Sequence, residues 1–379
     1  MIYTSKIYSK PALVAVLVAF MAAFSMPVFA QEEHAEGHAT EAAHNEHGHG
    51  AKPEKFDAGK MIIEHIGDSH SWHVADIGGH AYAAPLPVIL YTKGGVEIFS
   101  SSRFEHGHAI AHGSHGNYKL EEEGDKIVAV NEAGVIDEEA TKGIIDISIT
   151  KNVVTLLFVS ALMLIVFLSV ANAYKRNPNQ APKGLQSLLE PIIIFIRDDV
   201  AKGAIGPKYE KFVPYLLCVF FLILFSNLLG LVPFPPGGAN LSGNIAFTMV
   251  LALITFIITT INGTKHYWHH IFAMPGVPKP VLIILTPIEI LGVFLKPFVL
   301  MIRLFANMTA GHIIALSFFA MIFIFGEMSV GAGYGVSVVS VAFTVFMGCL
   351  ELLVAFLQAY VFTLLSAMYF GAALEEGHH

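Results

Sequence analysis

Residues 287 to 319 read PIEILGVFLKPFVLMIRLFANMTAGHIIALSFF, and the fold turns on how this stretch is read. It is apolar over most of its length, yet it carries Glu289, Lys296, Arg303, Asn307 and His312. A charge in an apolar setting must be paired or be there for a reason. The guanidinium of Arg303 titrates above about pH 12, so it cannot hand protons on; it acts as a fixed positive charge. At mid-membrane such a residue costs about 2.5–3.5 kcal/mol, which a purely structural helix does not normally carry.

The surrounding composition makes that setting a membrane. Hydrophobic residues form 54% of the chain and charged residues 14%, with a mean hydropathy of +0.61, too apolar for a soluble protein of this length. The apolarity is concentrated after Lys151. The formal charge of -8 belongs mostly to the polar first part, and no basic tract points to nucleic acid. Cys218 and Cys349 both fall in apolar spans and read as packing residues.

Five membrane-crossing helical regions follow from the apolar runs: 153–173, 213–232, 241–261, 281–325 and 336–370. Seven Lys and Arg lie between the first and second spans and two in 262–280, against none in 233–240 or 326–335. The positive-inside rule then puts the first span's amino end outside and the carboxyl terminus inside. The last two runs exceed what an upright helix needs, so they are steeply inclined or broken, with Pro287, Gly292 and Pro297 as break points. Joined through the Gly-rich loop 326–335, they form a long inclined antiparallel hairpin. Such a hairpin offers a side surface rather than a pore of its own, which implies a partner inside the membrane.

Glu289, Lys296, Arg303 and Asn307 fall within a narrow arc of one helix, because seven residues nearly close two turns; His312 points to the other side. On the last helix Glu351 and Gln358 share a face. Positions equidistant from the hairpin loop should meet, which pairs Arg303 with Gln358 and His312 with Glu351. An imidazole beside a carboxylate, on the loop side of a non-titrating arginine, is a plausible proton relay. Lys296 reads equally well as a residue snorkelling to the inner interface, and Asn307 as a group that orients Arg303. Gly292, Gly311 and Gly348 read as close-packing positions. His269 and His270 belong at the inner interface with Tyr267 and Trp268.

The amino-terminal part divides in two. Residues 1–30 carry Lys6 and Lys10, an apolar run from Ala12 to Phe24 and small residues before Ala30, the pattern of a signal peptide cleaved after Ala30. Residues 31–149 form a His-rich exported segment, disordered to about Gly50. Its later part reads as a small β-containing module: 85–91 and 96–99 flank Lys93-Gly94-Gly95 as a hairpin, and 127–130 adds a further strand. Residues 150–379 are the membrane domain. The fold class is therefore an all-α polytopic membrane protein with a small exported β-containing module in front.

The motifs RLFANMTAGHI (303–313), ELLVAFLQAYVFTLL (351–365), PIEILGVFLKPFVLMIR leading into the arginine, and FSNLLGLVP (225–233) resemble the a subunit of the membrane sector of F-type ATP synthases. The resemblance covers roughly residues 150–373 and implies a non-catalytic, proton-translocating stator in a bacterial inner membrane. It implies that Arg303 faces the carboxylates of a rotating c-subunit ring and separates two half-channels. Gln358 is then its neighbour, His312 and Glu351 line the outer half-channel, Asn307 lies a turn from the arginine, and Glu289 stands on the inner side. It further implies b subunits of a peripheral stalk, the remainder of the complex and the lipid bilayer as partners, and no cofactor. Many bacterial members carry the acid and imidazole exchanged between these two positions; the arrangement here resembles the mitochondrial one. The histidines also allow a different class, a metal-ion transporter or metal-sensing membrane protein. Against it, the chain has no Asp after Asp199 and no cluster of His and carboxylate ligands in its spans.

Overall fold

The computed structural model describes residues 57–77, 80–107, 109–121, 126–176, 180–232, 237–272, 274 and 277–375. The signal-peptide and low-complexity readings of residues 1–50 lie outside these.

The described chain begins with an amphipathic helix, α1 (Ala58–Ile66), followed by strands β1 (Ser71–Ile77), β2 (His80–Pro85), β3 (Pro87–Thr92), β4 (Gly95–Ser100), β5 (Ala111–His112), β6 (Asn117–Glu121) and β7 (Lys126–Val130). A one-turn helix α2 (Glu138–Thr141) and strand β8 (Ile145–Asp146) complete the module. The strands form three small antiparallel sheets, β1-β2, β4-β3-β8 and β5-β6-β7. The expected hairpin is present. Thr92 pairs with Gly95 across the Lys93-Gly94 turn, and Gly95 takes a φ of 137°, a region that side chains avoid. Alternation puts Val88, Leu90 and Phe99 inward, where they pack with Phe104, Ala111, Tyr118 and Ile127.

The Asp68 carboxylate and the backbone beside it fasten the module to the membrane domain. Asp68 accepts hydrogen bonds from the Thr150 hydroxyl (2.8 Å) and the Asn152 amide (3.0 Å), capping helix α3 (Lys151–Arg176) from a distance in sequence. Lys151 donates its amide to the Ser69 carbonyl (2.9 Å) and its ammonium to that of His65 (3.2 Å). Burial pushes the Asp68 carboxyl up, against the pull of these hydrogen bonds and of Lys151.

After α3 come α4 (Leu185–Ile194), a π-helical stretch Phe195–Ala201, α5 (Lys202–Ile205), α6 (Val213–Gly230), α7 (Ile245–Asn262), α8 (Lys265–Phe272), α9 (Lys279–Met328) and α10 (Val330–Leu374). Five of these, α3, α6, α7, α9 and α10, are long and apolar enough to cross a membrane. α6 is the hub: Leu216, Phe220, Phe221 and Ile223 are fully buried. α10 packs on it through a stripe of Ala355, Ala359, Thr363 and Ala367, small residues four apart that let the backbones approach. α9 contributes Leu300, Leu304 and Met308 at the same spacing. Thr255 and Thr259 are buried in α7, and their hydroxyls bond carbonyls one turn back (3.0 and 2.7 Å), so no polar cost remains. α8 gathers Tyr267, Trp268 and Phe272 into one run of ring contacts beside His269 and His270.

α9 is unbroken through Pro287 and Pro297 and runs 50 residues, about 75 Å at 1.5 Å per residue, which agrees with the inclined rather than the broken alternative. Each proline costs the helix one hydrogen bond without ending it. Two expectations need correction. The loop expected over 326–335 is a single extended residue, Ser329, whose hydroxyl accepts from the Ala332 amide (3.1 Å); Gly326, Gly331, Gly333 and Gly335 are helical. Of the three glycines read as packing positions, Gly292 and Gly348 face open space and only Gly311 meets a neighbour.

The segment from Leu185 to Ile205 received no structural reading from sequence. It buries Ile196, Val200, Ala201 and Ile205 against the bundle, and a Cβ at Gly371 of α10 would collide with the Ala204 carbonyl. Thr264 closes the far end of the hairpin: its amide and hydroxyl donate to the carbonyls of Ala373 (2.9 Å) and Glu375 (3.0 Å), left open by the end of α10.

Candidate functional site

The hairpin register can be followed along its length. Gly326 lies against Gly333, the rings of Phe318 and Phe343 stack at 5.1 Å, His312 faces Glu351, and the Lys296 ammonium sits 5.9 Å from the centre of the Tyr369 ring. Counted from Ser329, the partners run antiparallel with a register that drifts by about two residues from each contact to the next, from one at Gly326 and Gly333 to seven at Lys296 and Tyr369.

The titratable pair forms where this register brings it together. His312 Nδ1 lies 3.4 Å from Glu351 Oε1, with the side chains 9% and 13% exposed. The contact is close enough for an ion pair but misaligned for a hydrogen bond, and neither atom has a hydrogen-bond partner among the described residues. Two buried polar atoms left in this state are costly. Gly311 makes the arrangement possible: a Cβ there would stand 2.9 Å from Glu351 Oε1. Gly230, ending α6, has the His312 Nε2 3.8 Å from where its Cβ would be.

A belt of neutral polar groups surrounds the pair. Asn227 of α6 donates its side-chain amide to the Ala355 carbonyl of α10 (3.2 Å) and accepts from the Ser242 hydroxyl. Thr309 donates to the Gly243 carbonyl (3.4 Å), tying α9 to the same turn. The Ser226 hydroxyl and the Asn240 amide nitrogen are buried without a hydrogen-bond partner among the described residues. Sequence reading missed this belt; the signal available was a run of Asn and Ser between two apolar spans.

Arg303 stands apart from it. Arg303 and Asn307 are exposed on one face of α9, while Gln358 is buried in the bundle, and among the described residues no hydrogen bond joins Arg303 to Gln358. Helical geometry explains why. His312 follows Arg303 by nine residues, half a turn out of phase, so when His312 faces α10 the arginine faces away. Glu289 and Lys296 are half-buried, and Lys296 lines a small cavity with Thr255, Thr259, Tyr267 and Tyr369. Among the described residues no group of three or more His, Cys, Asp or Glu side chains is placed to hold a metal ion.

These features define a polytopic membrane subunit that carries a buried acid–imidazole pair on one side of a long hairpin and a fixed positive charge on the other. A family model described as ATP synthase A chain matches residues 153–371, more than half of the chain, and the chain belongs to that family. Residues 61–147 match a second model, described as a domain of unknown function. Among relatives, ATP synthase subunit a 2 of Chlorobaculum tepidum is 51% identical over 208 residues, 54% of this chain and 56% of that protein. ATP synthase subunit a of Chloroherpeton thalassium is 47% identical over 214 residues, 55% of this chain and 62% of that protein. That of Myxococcus xanthus is 44% identical over 205 residues, 52% and 64% of the two. The matches thus span less than two thirds of these relatives.

Proposed function

We propose that this chain is the proton-translocating, non-catalytic stator subunit of an F-type ATP synthase, forming two half-channels against a ring of c subunits. The observation that carries the reading is the placement of Arg303. It lies exposed on a bilayer-spanning helix, where only a partner inside the membrane can meet its charge, opposite the buried pair of His312 and Glu351. The domains are a signal peptide (1–30), an exported module (31–149) and the membrane domain (150–379).

Protons enter from the exported side, pass His312 and Glu351, and neutralise a ring carboxylate, which then enters lipid without the large cost of a bare charge. A carboxylate arriving opposite Arg303 is drawn to ionise by the neighbouring cation. Its proton leaves on the inner side, past Glu289. Arg303 also blocks direct leakage between the half-channels, with Asn307 on the same exposed face and Gln358 at a matching height inside the bundle. Each charge crossing 100 mV contributes about 2.3 kcal/mol, so several are needed per ATP made elsewhere in the complex. The b subunits of the peripheral stalk hold the subunit against the ring's torque. The membrane is the bacterial inner membrane, with the module outside and the carboxyl terminus inside.

ATP-driven acidification of inverted vesicles tests this, comparing wild type with Arg303→Ala in an assembled complex. Loss of pumping with assembly intact is expected; normal pumping overturns the reading.

A further inference from the structure

We infer that the outward face of the sheet β4-β3-β8 lies on the lipid surface beside α3, as an apolar extension of that helix into the headgroup layer. The inference needs only that α3 crosses the membrane, and it is independent of the proton path.

The face is built by strand register. Val88, Leu90 and Phe99 point into the module's core, so the residues between them point the other way. Ile89 lies opposite Ile98 and Tyr91 opposite Val96, and on the other side Tyr91 lies opposite Ile145. Ile147 donates its amide to the Ile89 carbonyl (2.9 Å), which sets it level with Ile89. Six apolar side chains thus stand in two rows of three across the sheet. Ile98 is 68% exposed, Val96 55% and Tyr91 53%, and Ile145 and Ile147 are exposed as well. One exposed isoleucine is ordinary, but a contiguous apolar face backed by a filled core marks a surface that something covers. A sheet facing water would carry polar residues at these positions.

What covers it follows from where the chain goes next. Isoleucine recurs at Ile145, Ile147 and Ile149, while Asp146 and Ser148 turn inward to bond His70 and the Ile89 amide. Ile149 donates its amide to the Pro87 carbonyl (3.1 Å), so the ladder continues to within two residues of Lys151, where α3 begins. Leu157, Phe158, Leu164 and Ile165 of α3 are exposed in their turn. The cation between the two apolar surfaces does not interrupt them, because Lys151 is buried and donates to the His65 carbonyl.

Distances identify the covering phase. Two extended residues span at most about 7 Å, so Ile149 falls within the interfacial layer, roughly 5–7 Å deep on each side of the hydrocarbon core. The rows of Ile147 and Ile145 follow about 7 and 14 Å further along the strand, which an upright sheet would leave in water. Laid over, the whole face reaches the depth of interfacial amphipathic elements, about 5–10 Å into the headgroup boundary. The module is held low enough for this, since Asp68 and Ser69 bond the first residues of α3 and α1 packs against α9. The hairpin tip suits the same layer. Tyr91 offers an amphipathic ring, and Lys93 is exposed with its stem along Gly143, where a Cβ would stand 3.1 Å from Lys93 Cε.

The test uses the whole complex in phosphatidylcholine nanodiscs, freed of other reactive cysteines, with Cys218→Ser and Cys349→Ser in this chain. A single cysteine carries an environment-sensitive fluorophore at Ile98→Cys, at Ile147→Cys or, as the control, at Glu132→Cys in the exposed turn after β7. Quenching by a nitroxide at the top of the lipid acyl chain is compared with quenching by iodide in the buffer. The lipid nitroxide is expected to quench at Ile98 and Ile147 several-fold more than at Glu132, and iodide to do the reverse. Iodide quenching at both sheet positions as strong as at Glu132 overturns the inference, because the face is then open to water. Lipid quenching at Ile147 with iodide quenching at Ile98 also overturns it, because the sheet then stands upright. Shielding of both positions from both quenchers overturns it too, and marks a face covered by protein, either another subunit or a second copy of this chain.

Discussion

His312 and Glu351 face each other across the hairpin at 3.4 Å, and the carboxylate occupies the space left by the absent side chain of Gly311. Each residue is the other's ion-pair partner. Replacing either alone, His312→Ala or Glu351→Gln, is expected to slow proton-driven ATP synthesis by about ten- to a hundredfold, toward the low end of what a positioned proton-transfer group supplies. Exchanging them, His312→Glu with Glu351→His, is expected to restore part of the rate. A double exchange no better than the single variants would refute the pair.

Gly311→Ala places a methyl group 2.9 Å from Glu351 Oε1, closer than a Cβ tolerates. The carboxylate must move, so proton transport should fall while Arg303 and its face of α9 are untouched. Because the crowded atom is the end of a flexible side chain, the cost in stability should be small and the loss should show in transport. Gly292→Ala and Gly348→Ala, which meet open space, are the controls and should assemble and pump as wild type.

Asn227 holds α6, α10 and the turn at Ser242 together through one side-chain amide. Asn227→Leu removes both links and leaves the Ser242 hydroxyl buried, at about 1–3 kcal/mol. Because the Ala355 carbonyl lies one helical turn from Glu351, the variant is also expected to move the pH at which synthesis is half-maximal. Measuring the pH profile separates this from simple loss of assembled complex.

The amino-terminal β-containing module should be acid-sensitive. Burial raises the Asp146 carboxyl, but hydrogen bonds from His70 (2.8 Å) and Ser148 outweigh it and hold the group below the usual carboxylate range. A lowered acid contributes stability above its unfolded value of about 4, and that contribution is lost as pH falls through the folded value. Asp68, raised by burial, has the opposite sign: what its protonated form contributes is lost as pH rises through its folded value. Thermal melts of the full chain, followed by the buried Trp72 in a Trp268→Phe background, should lose stability below about pH 4, where Asp146 gains its proton. Asp146→Asn should flatten that limb and lower the melting temperature at pH 7.

How far the sequence carried this picture depends on the range of the forces involved. The spans and the meeting of His312 with Glu351 follow from helical period, apolar length and the antiparallel constraint, all local or linear along the chain. Arg303 and Gln358 show the limit of that argument. Both lie at matching heights, but height alone does not decide which side of α9 a residue faces. The same holds for Ser329, where glycines read as a loop are helical because a bilayer-length hairpin gains more from unbroken hydrogen bonding than it loses in backbone entropy. The π-helical turn at Phe195–Ala201 and the polar belt around Asn227 depend on partners far along the chain, and no periodicity announces them.

The cap on α3 has a consequence for biogenesis. The residue that closes the amino end of the first membrane helix lies 84 positions before the amide it receives. That helix end goes without its cap until the preceding module has folded against it. Module folding and seating of α3 thus become coupled steps, and a chain whose module is unfolded presents an uncapped helix end.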